Sequence, residues 1–397
     1  MANTNNNKTL NVPNLRFPEF KGEWKKEKVS ELLEFYSTNS LSWEQLDYNN
    51  GKIRNLHYGL IHKELPTAVD LNNDKLPFIK EKYNLSSFTL CKNGDVAFAD
   101  ASEDTNDVAK AVEFLNCNGK EIVCGLHTIH GRDKNDSTIV GYKGYAFASC
   151  AFHRQIRRLA QGTKIYSINI SNFAESYIGI PSRPEQAKIA NLLLAIDKRI
   201  ATQNKIIEDL KKLKSAIVDK VFSSIKEAIT VSLGDIACII NGDGNVQDAS
   251  LTKQDGWFPF FDRSEEQKWF PSYSFNKEAI IYSGEGQSFY PRYYKGRFAL
   301  HQRCYAITDF DECVIPKYCY HYMNTMNSYF VKKAVGSTVP SLRMDIFQKA
   351  KIRIPPISLQ TRICNIIDSF DSKIELEQNL QKQFESLKRY LLQQMFI

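Results

Sequence analysis

The sequence predicts an α+β protein: two globular domains separated by two long antiparallel coiled-coil helices, with an internal pseudo-twofold repeat. Three observations lead there. The chain resembles itself at one fixed offset, it holds two long helical patterns without a breaker, and an unlike strand-rich stretch precedes each of them. At 397 residues it exceeds the usual size of a single domain.

The repeat comes first, because it decides how everything else is read. Residues 162–222 align with 336–396 without a gap, each residue meeting its counterpart 174 positions later. Gly162 matches Gly336, Ser167 matches Ser341, and Phe173 matches Phe347. Ile178, Ile180 and Pro181 match Ile352, Ile354 and Pro355. Gln186, Ile189 and Asn191 match Gln360, Ile363 and Asn365. Asp197 and Ile200 match Asp371 and Ile374, Leu213-Lys214 matches Leu387-Lys388, and Phe222 matches Phe396. Shared helical patterning explains apolar pairs. It does not place Gly, Pro, Gln and Asn in one register, so the segment is a duplication.

Each copy turns helical after its Ile-Pro. In the first, apolar residues fall at Ile189, Leu193, Ile196, Ile200, Ile207, Leu210, Ile217 and Val221, the four-and-three alternation of a heptad seam. Gln203 and Lys214 interrupt it. The second runs Ile363, Ile367, Phe370, Ile374, then Leu380, Phe384, Leu387 and Leu391, with a slip near Glu377. No Gly or Pro occurs from 185 to 222 or from 357 to the end. About forty residues at 1.5 Å each make a rod of roughly 60 Å. Two such seams most simply bury each other as an antiparallel pair; the plainer alternative is two amphipathic helices lying on separate domains. The expected organisation is a first domain over 1–180, a long central helix over 181–227, a second domain over 228–354 and a C-terminal helix over 355–397.

The two domains mix short β-like runs with turn signals, such as Gly94-Asp95-Val96-Ala97-Phe98-Ala99 and Ala279-Ile280-Ile281-Tyr282-Ser283-Gly284. Both open on a similar element, Val29-Ser30-Glu31-Leu32 and Leu233-Gly234-Asp235-Ile236. Beyond these ends they hardly resemble each other. A duplicated frame carrying diverged domains fits two modules that read different things.

Basic and aromatic residues give those modules a partner class. The formal net charge is +7, which suits an anionic partner but is weak on its own. The second domain holds Ser288-Phe289-Tyr290-Pro291-Arg292-Tyr293-Tyr294-Lys295-Gly296-Arg297 and then His301-Gln302-Arg303. Cations interleaved with aromatics suit phosphate contact and packing on bases, and Arg and Gln can read base edges. The bland reading is an exposed hairpin with solvated charges. Arg263 follows a Trp-Phe-Pro-Phe-Phe run that reads as core. In the first domain the candidates are Arg54, His57, Tyr58 and Lys63, then His127 with Arg132, and Arg154. Each cluster alone is more often a solvated face than a site.

Other chemistry finds no footing. There is no GxxxxGK[ST] phosphate loop, no Asn-Pro-Pro-Tyr-like run for holding a flipped base, no HExxH and no paired His/Cys ligands. The nine cysteines show no CxxC pair and no zinc-like spacing; scattered thiols point to a reducing cytoplasm. Asp95 and Asp100 flank a strand-like run, where acids at strand ends are commonplace. The expectation is no catalytic residue, no metal and no cofactor in this chain. The polar start, residues 1–8, has no apolar leader pattern.

With these residues in view the chain resembles the Type I restriction–modification specificity subunits, the HsdS family. The resemblance rests on the repeated Ile-Pro-x-x-x-x-Gln helix openings, on Gly162-Thr163-Lys164-Ile165 and Gly336-Ser337-Thr338-Val339-Pro340-Ser341-Leu342, and on His57-Tyr58-Gly59 and Gly125-Leu126-His127-Thr128. It covers essentially the whole chain. One departure is Leu359, where the first copy has Glu185. The resemblance implies two target-recognition domains, each reading half of a split double-stranded DNA site, with the helices setting the spacer between halves. It also implies two methyltransferase subunits using S-adenosylmethionine, and two translocase–nuclease subunits using ATP and Mg. The competing readings are a coiled-coil scaffold that joins proteins without reading DNA, and an enzyme with unfamiliar motifs.

Overall fold

The computed structural model describes residues 10–63, 65–83 and 88–397; the polar N-terminal run 1–8 lies outside them. The α+β class, the duplicated frame and the long helices are all observed. By its contacts the chain forms two units. One runs as far as Asn204 and takes in Asn379–Ile397; the other is Lys205–Gln378. The two cut points are one repeat offset of 174 residues apart. Each unit therefore holds one globular domain, the start of the long helix that follows it, and the end of the other long helix.

The first long helix is Arg183–Ser224 and the second is Ile357–Gln394. Both follow a strand that ends in Ile-Pro, Tyr177–Ile180 and Lys351–Ile354, where proline stops the strand. Pro184 sits in the first turn of the first helix, where its missing N–H costs nothing.

In the first unit a five-stranded sheet has the spatial order Leu33–Tyr36, Thr128–Asp133, Val96–Ala99, Ala111–Leu115, Ala68–Asp70; only the last pair is parallel. Every residue of Val96–Ala99 is buried, which is why that run reads apolar without alternation. A smaller four-stranded sheet comprises Ile122–Cys124, Arg54–Leu56, Phe78–Ile79 and Leu46–Asp47. Phe98, Phe147, Phe152 and Phe173 pack edge to face or tilted in the core at centroid distances of 4.6–5.9 Å where they meet Phe98 or Phe152. Ile189, Leu193 and Ile196 of the first helix and Leu391, Met395 and Phe396 from the chain's end join the same core. The second unit is built around a six-stranded sheet: Cys238–Asn241, Cys304–Thr308, Phe275–Ser283, Arg292–Leu300, Phe258–Phe261 and Lys268–Phe270. Its core takes in Phe222 from the end of the first helix and Ile363, Cys364 and Ile367 from the start of the second.

Several contacts of the frame recur in both units on the same atoms. Gln186 is buried: its Nε2 donates to Pro181 O (3.0 Å) and Ser137 O (3.2 Å), and its Oε1 accepts from Ile139 N at 2.9 Å. Gln360 does the same with Pro355 O (2.9 Å), Cys313 O (2.8 Å) and Ile315 N (2.8 Å). Tyr142 Oη donates to Gly179 O, and Tyr318 Oη to Arg353 O. The one-turn helices Val29–Leu32 and Leu233–Ile236 are each entered by an N–H bonded to the matching carbonyl, Ser176 O and Ala350 O, both at 2.8 Å. In the first unit Lys388 pairs with Asp197 at 2.6 Å; in the second Lys214 pairs with Asp371. The aspartate of each copy thus pairs with the lysine of the other copy, at positions one repeat offset apart. In both units the helices run antiparallel.

The seam is buried as the spacing requires at Ile189, Leu193, Ile196, Ile207, Ile363, Ile367 and Ile374, and half-buried at Ile200, Leu210, Phe370 and Phe384. Leu387 departs from it and is 44% exposed, as is its counterpart Leu213 at 50%. The cause is its neighbour. Lys388 points inward to reach Asp197, and one residue back along an α-helix is a turn of about 100°, which carries Leu387 outside. Gln203 and Glu377, which interrupt the two apolar patterns, are themselves one repeat offset apart and both buried. The missing acid of the second copy is also explained. Glu185 is buried under a bidentate Arg16 (2.6 and 2.8 Å) and the Trp24 indole (3.2 Å), whereas Leu359 packs on an apolar cluster.

Two outcomes are expected. Gln186→Ala and Gln360→Ala each strand a buried N–H and two carbonyls, so each should cost roughly 1–3 kcal/mol in urea unfolding; a change near zero in both would mean these contacts hold nothing. His153, on the helix Cys150–Leu159, is held at about 4, mainly by burial, with Arg157 and Lys110 adding to that and Asp107 opposing it. An unfolded imidazole takes up a proton near pH 6.5. The folded state resists until about pH 4, so stability is intact above 6.5 and falls as pH drops through that window. The pH profile of His153→Gln should lack that component; superimposable wild-type and variant profiles would refute it.

Candidate nucleic-acid interface

In the first domain two of the sequence-marked stretches meet. Gly125 N donates to Leu56 O at 2.8 Å, and Ile122–Cys124 pairs in parallel with Arg54–Leu56. A Cβ on Gly125 would stand 2.5 Å from Asn55 Nδ2 and 2.8 Å from Leu56 O, so this close approach requires glycine. The result is a run of rings. Trp43 lies 4.4 Å from His57, His57 4.6 Å from Tyr58, and Tyr58 edge-on to His127 at 5.3 Å and to His62 at 6.0 Å. Trp43, Tyr58, His62, Lys63 and His127 line a recess of ≈ 700 Å³ together with Ser102 and Asp104.

Within it the predicted residues divide by role. His57 is buried, its Nδ1 accepting from Gly59 N at 3.1 Å. Burial, helped by the nearby His127, keeps its imidazole below the usual value, so it is a neutral packing ring. Tyr58 is half-buried, and Lys63 is exposed at the end of the helix Tyr58–Lys63. His127 is exposed on a left-handed backbone (φ 53°), with Nδ1 at 3.2 Å from Asp100 Oδ1. A non-glycine residue seldom holds that conformation without compensation; here Thr128 Oγ1, bonded to Gly125 O at 2.5 Å, steadies the turn. Arg54 lies over the Phe78 ring at 5.3 Å. Arg132 is not a free cation: it donates to both oxygens of Asp95 (2.8 and 2.7 Å) and to Leu90 O, and stacks 4.8 Å over Tyr36. Arg154 is exposed and borders a separate depression with Asn11, Asn14 and Gln394.

In the second domain the basic hairpin exists: Arg292–Leu300 pairs antiparallel with Phe275–Ser283 over seven residues, Lys295 opposite Glu278 and Arg297 opposite Asn276. Alternation along a strand sends neighbouring side chains to opposite faces. Lys295 and Arg297 are exposed; Arg297 stacks 5.1 Å over Tyr273, and Lys295 lies 3.4 Å from Glu278. Arg292 departs from the expected open surface. Its guanidinium bonds Ser264 O at 3.0 Å and Asp262 O, and covers Phe261 at 5.1 Å; burial lowers its pKa from the usual arginine value. Tyr293 is likewise tied down, its hydroxyl on Glu278 and its ring 5.5 Å from Tyr320. Gln302 and Arg303 occupy the exposed turn after the strand, with Arg303 paired to Glu285 at 2.7 Å. Arg263 is exposed beyond Phe258–Phe261.

Sequence reasoning marked His62 beside Lys63 but missed Trp43 and Tyr273. Trp43 lies in a 3-10 turn, Trp43–Gln45, with no motif around it, and only the fold brings it over His57. Tyr273 was a lone aromatic in a Pro/Ser turn, yet at 43% exposure it is the plate on which Arg297 rests. What remains open to a partner is exposed Lys63 and His127 beside the ring stack in the first domain, and exposed cations including Arg297 on Tyr273 in the second. That arrangement can contact phosphates and stack on bases or sugars.

Comparison with known proteins bears on the fold and the family. The solved S subunit of a Type-I restriction–modification system from M. genitalium superposes with a TM-score of 0.61 at 17% identity, over 97% of this chain and 99% of that one. A chain from a structure concerned with complex assembly and conformational transition of the type I R-M system gives 0.57 at 12% identity, over 93% and 96%. At these identities the likeness speaks for the fold. In sequence, 162 residues are 27% identical to the Type I restriction enzyme EcoDI specificity subunit of Escherichia coli, a stretch that is 41% of this chain and about a third (35%) of that protein. The family model described as "Type I restriction modification DNA specificity domain" matches twice, over residues 21–212 and 226–386. With both halves matched, the chain belongs to the Type I restriction–modification DNA specificity family.

Proposed function

We propose that this chain is the sequence-reading, non-catalytic subunit of a Type I restriction–modification complex. Each domain reads one half of a split double-stranded DNA site, and the helices set the spacer and dock methyltransferase subunits. The observation that carries this is one pairing of facts. The frame repeats to the level of single hydrogen bonds at Gln186 and Gln360, while the domains it carries differ in sheet order, five plus four strands against six. A scaffold has no use for two unlike basic faces on a duplicated mount; a reader of two unlike half-sites does.

In this reading the partners are DNA, two methyltransferase subunits supplying S-adenosylmethionine, and two ATP- and Mg-using translocase–nuclease subunits, all in the cytoplasm. No catalytic group or cofactor for the reaction is assigned to this chain. Among the described residues no helix is long and apolar enough to cross a membrane. Lys63 and His127 in the first domain, and Arg263, Lys295, Arg297, Gln302 and Arg303 in the second, are the contacts offered to DNA. Arg54, His57, Arg132, Arg292 and Tyr293 hold the shapes that present them. The test is selection of random duplex DNA by the assembled complex. A motif of two conserved blocks around an unconserved gap is expected; no enrichment would return the scaffold reading.

Lys295→Ala, Arg297→Ala and Arg303→Ala should each weaken binding. A residue that touches phosphate does so on every sequence and flattens the salt dependence by about one unit. One that reads a base instead relaxes a single position, at roughly 1–3 kcal/mol. Arg292→Ala should act through the stability of the second domain. A triple variant with unaltered affinity and salt slope would make the hairpin a solvated face.

Four residues inserted after Asn204 and four after Gln378 lengthen both helices at equivalent points by about one turn, roughly 6 Å. That insert length nearly preserves the apolar stripe. At about 3.4 Å per base pair the gap between half-sites should grow by one or two base pairs with both half-sites unchanged. An unchanged gap in an assembled complex would show that the helices do not measure distance.

A further inference from the structure

Beneath the Gly125–Thr128 turn the first domain buries a cluster to which the proposed function gives no role. Cys91, Cys124 and His130 are buried, and one ligand-capable atom of each lies within 4.8 Å of the others. They come from three separate places in the sheets. Cys91 precedes the turn into Val96–Ala99, its N–H bonded to Ile122 O at 2.8 Å. Cys124 ends the strand Ile122–Cys124, and His130 is central in Thr128–Asp133, opposite Ala97 on one side and Tyr36 on the other.

Three features of the cluster point to a cation. First, the Cys91 and Cys124 sulfurs are 3.6 Å apart. A disulfide would hold them at about 2.05 Å, whereas two thiolates on one tetrahedral zinc, each about 2.3 Å from the metal, stand about 3.8 Å apart. Second, His130 Nδ1 is buried and makes no hydrogen bond of ordinary geometry, and the His130 ring interacts with the Cys91 thiol, a second candidate ligand; a polar nitrogen so placed costs free energy unless something binds it. Third, the other ring nitrogen, Nε2, sits 2.8 Å from Asp95 Oδ2, and Asp95 is clamped by Arg132 through both carboxylate oxygens. A carboxylate on the far nitrogen of an imidazole is the usual outer support of a metal-bound histidine: it fixes the tautomer that leaves Nδ1 free and raises its basicity.

We propose that Cys91 Sγ, Cys124 Sγ and His130 Nδ1 form a structural site for a thiophilic divalent cation, Zn²⁺, with Asp95 as the positioning residue for His130. Two thiolates and a neutral imidazole balance the charge of Zn²⁺, so the site can be buried without a stray ion. The two cysteine protons pass to solvent on binding. These three ligands leave the fourth position of a tetrahedral ion open. The bound ion would tie together the turn before one central strand, the end of the smaller sheet and the neighbouring central strand. It would thereby brace the domain beneath the Gly125–Thr128 turn.

The test uses the full chain, freed of metal by a chelator under reducing conditions, given Zn²⁺ alone and then dialysed. About one zinc per chain is expected, with a zinc X-ray absorption first shell containing two or more sulfurs and an imidazole. Cys91→Ser combined with Cys124→Ser should abolish retention, while Cys238→Ser, at an exposed cysteine elsewhere, should leave it intact. Asp95→Asn should weaken binding by about 10–100-fold. Failure to retain zinc, a first shell of oxygen and nitrogen only, or equal retention by the double variant would overturn the site. The absorption measurement is made on the wild-type chain, so it decides the matter even where the double variant does not fold.

Discussion

Each long helix carries an apolar stripe that neither helix can bury by itself, and the rest of the structure follows from where those stripes go. A helix of 42 or 38 residues with heptad spacing and no internal breaker gains little from propensity alone; its stability is tertiary. In the first unit Ile189, Leu193 and Ile196 enter the domain core beside Leu391, Met395 and Phe396. In the second, Ile363, Cys364 and Ile367 do so beside Phe222. A domain is thus cored partly by the opening of its own helix and partly by the end of the other, and neither domain is complete without both. The reciprocal pairs Asp197–Lys388 and Asp371–Lys214 add register rather than much energy, since partly exposed ion pairs contribute little.

This frame was legible in the sequence because its determinants are local or repeated. Heptad spacing is a property of neighbouring residues, and the 174-residue offset compares the chain only with itself. The seam failed at Leu387 because an inward lysine on the next residue overrides the apolar rule, a choice made by Asp197, nearly two hundred positions away. The candidate site was legible in outline and not in detail for the same reason. His57-Tyr58-Gly59 and Gly125–Thr128 were marked and do meet, but Trp43, which completes the ring stack, carries no pattern of its own. Arg132 and Arg292 read as basic surface and prove to be internal struts. What separates a strut from a free cation is the position of Asp95, Asp262 O and Ser264 O, which no spacing reveals. The Cys91, Cys124 and His130 cluster is the extreme case, since a turn and two strands of different sheets deliver one atom each.

In the proposed function the struts matter as much as the free cations do. Base readout depends on holding a donor to within a fraction of an ångström, so a side chain that reads must be backed by side chains that do not move. Arg297 lies on Tyr273, and the strand beneath it is pinned by Arg292 across Phe261. Tyr58 is wedged between His57 and His127, and His57 in turn lies against Trp43. In both domains the buried or capped cation and ring set the pose of an exposed neighbour.

The way the frame grips its domains explains how those domains could diverge. Gln186 and Gln360 hold the helix openings through six hydrogen bonds, and every partner is a main-chain atom: Pro181 O, Ser137 O and Ile139 N in one unit, Pro355 O, Cys313 O and Ile315 N in the other. The tyrosine bonds from Tyr142 and Tyr318 also end on carbonyls. Main-chain groups are present whatever the side chain, so the grip survives substitution of Ser137 by Cys313 at the matching place. Where the grip does use side chains, the copies have parted: Glu185 needs Arg16 and Trp24, and its counterpart Leu359 has exchanged that network for apolar packing. A mount that reads backbone leaves the faces of both domains free to change sequence without moving them, which is the property a two-part DNA reader requires.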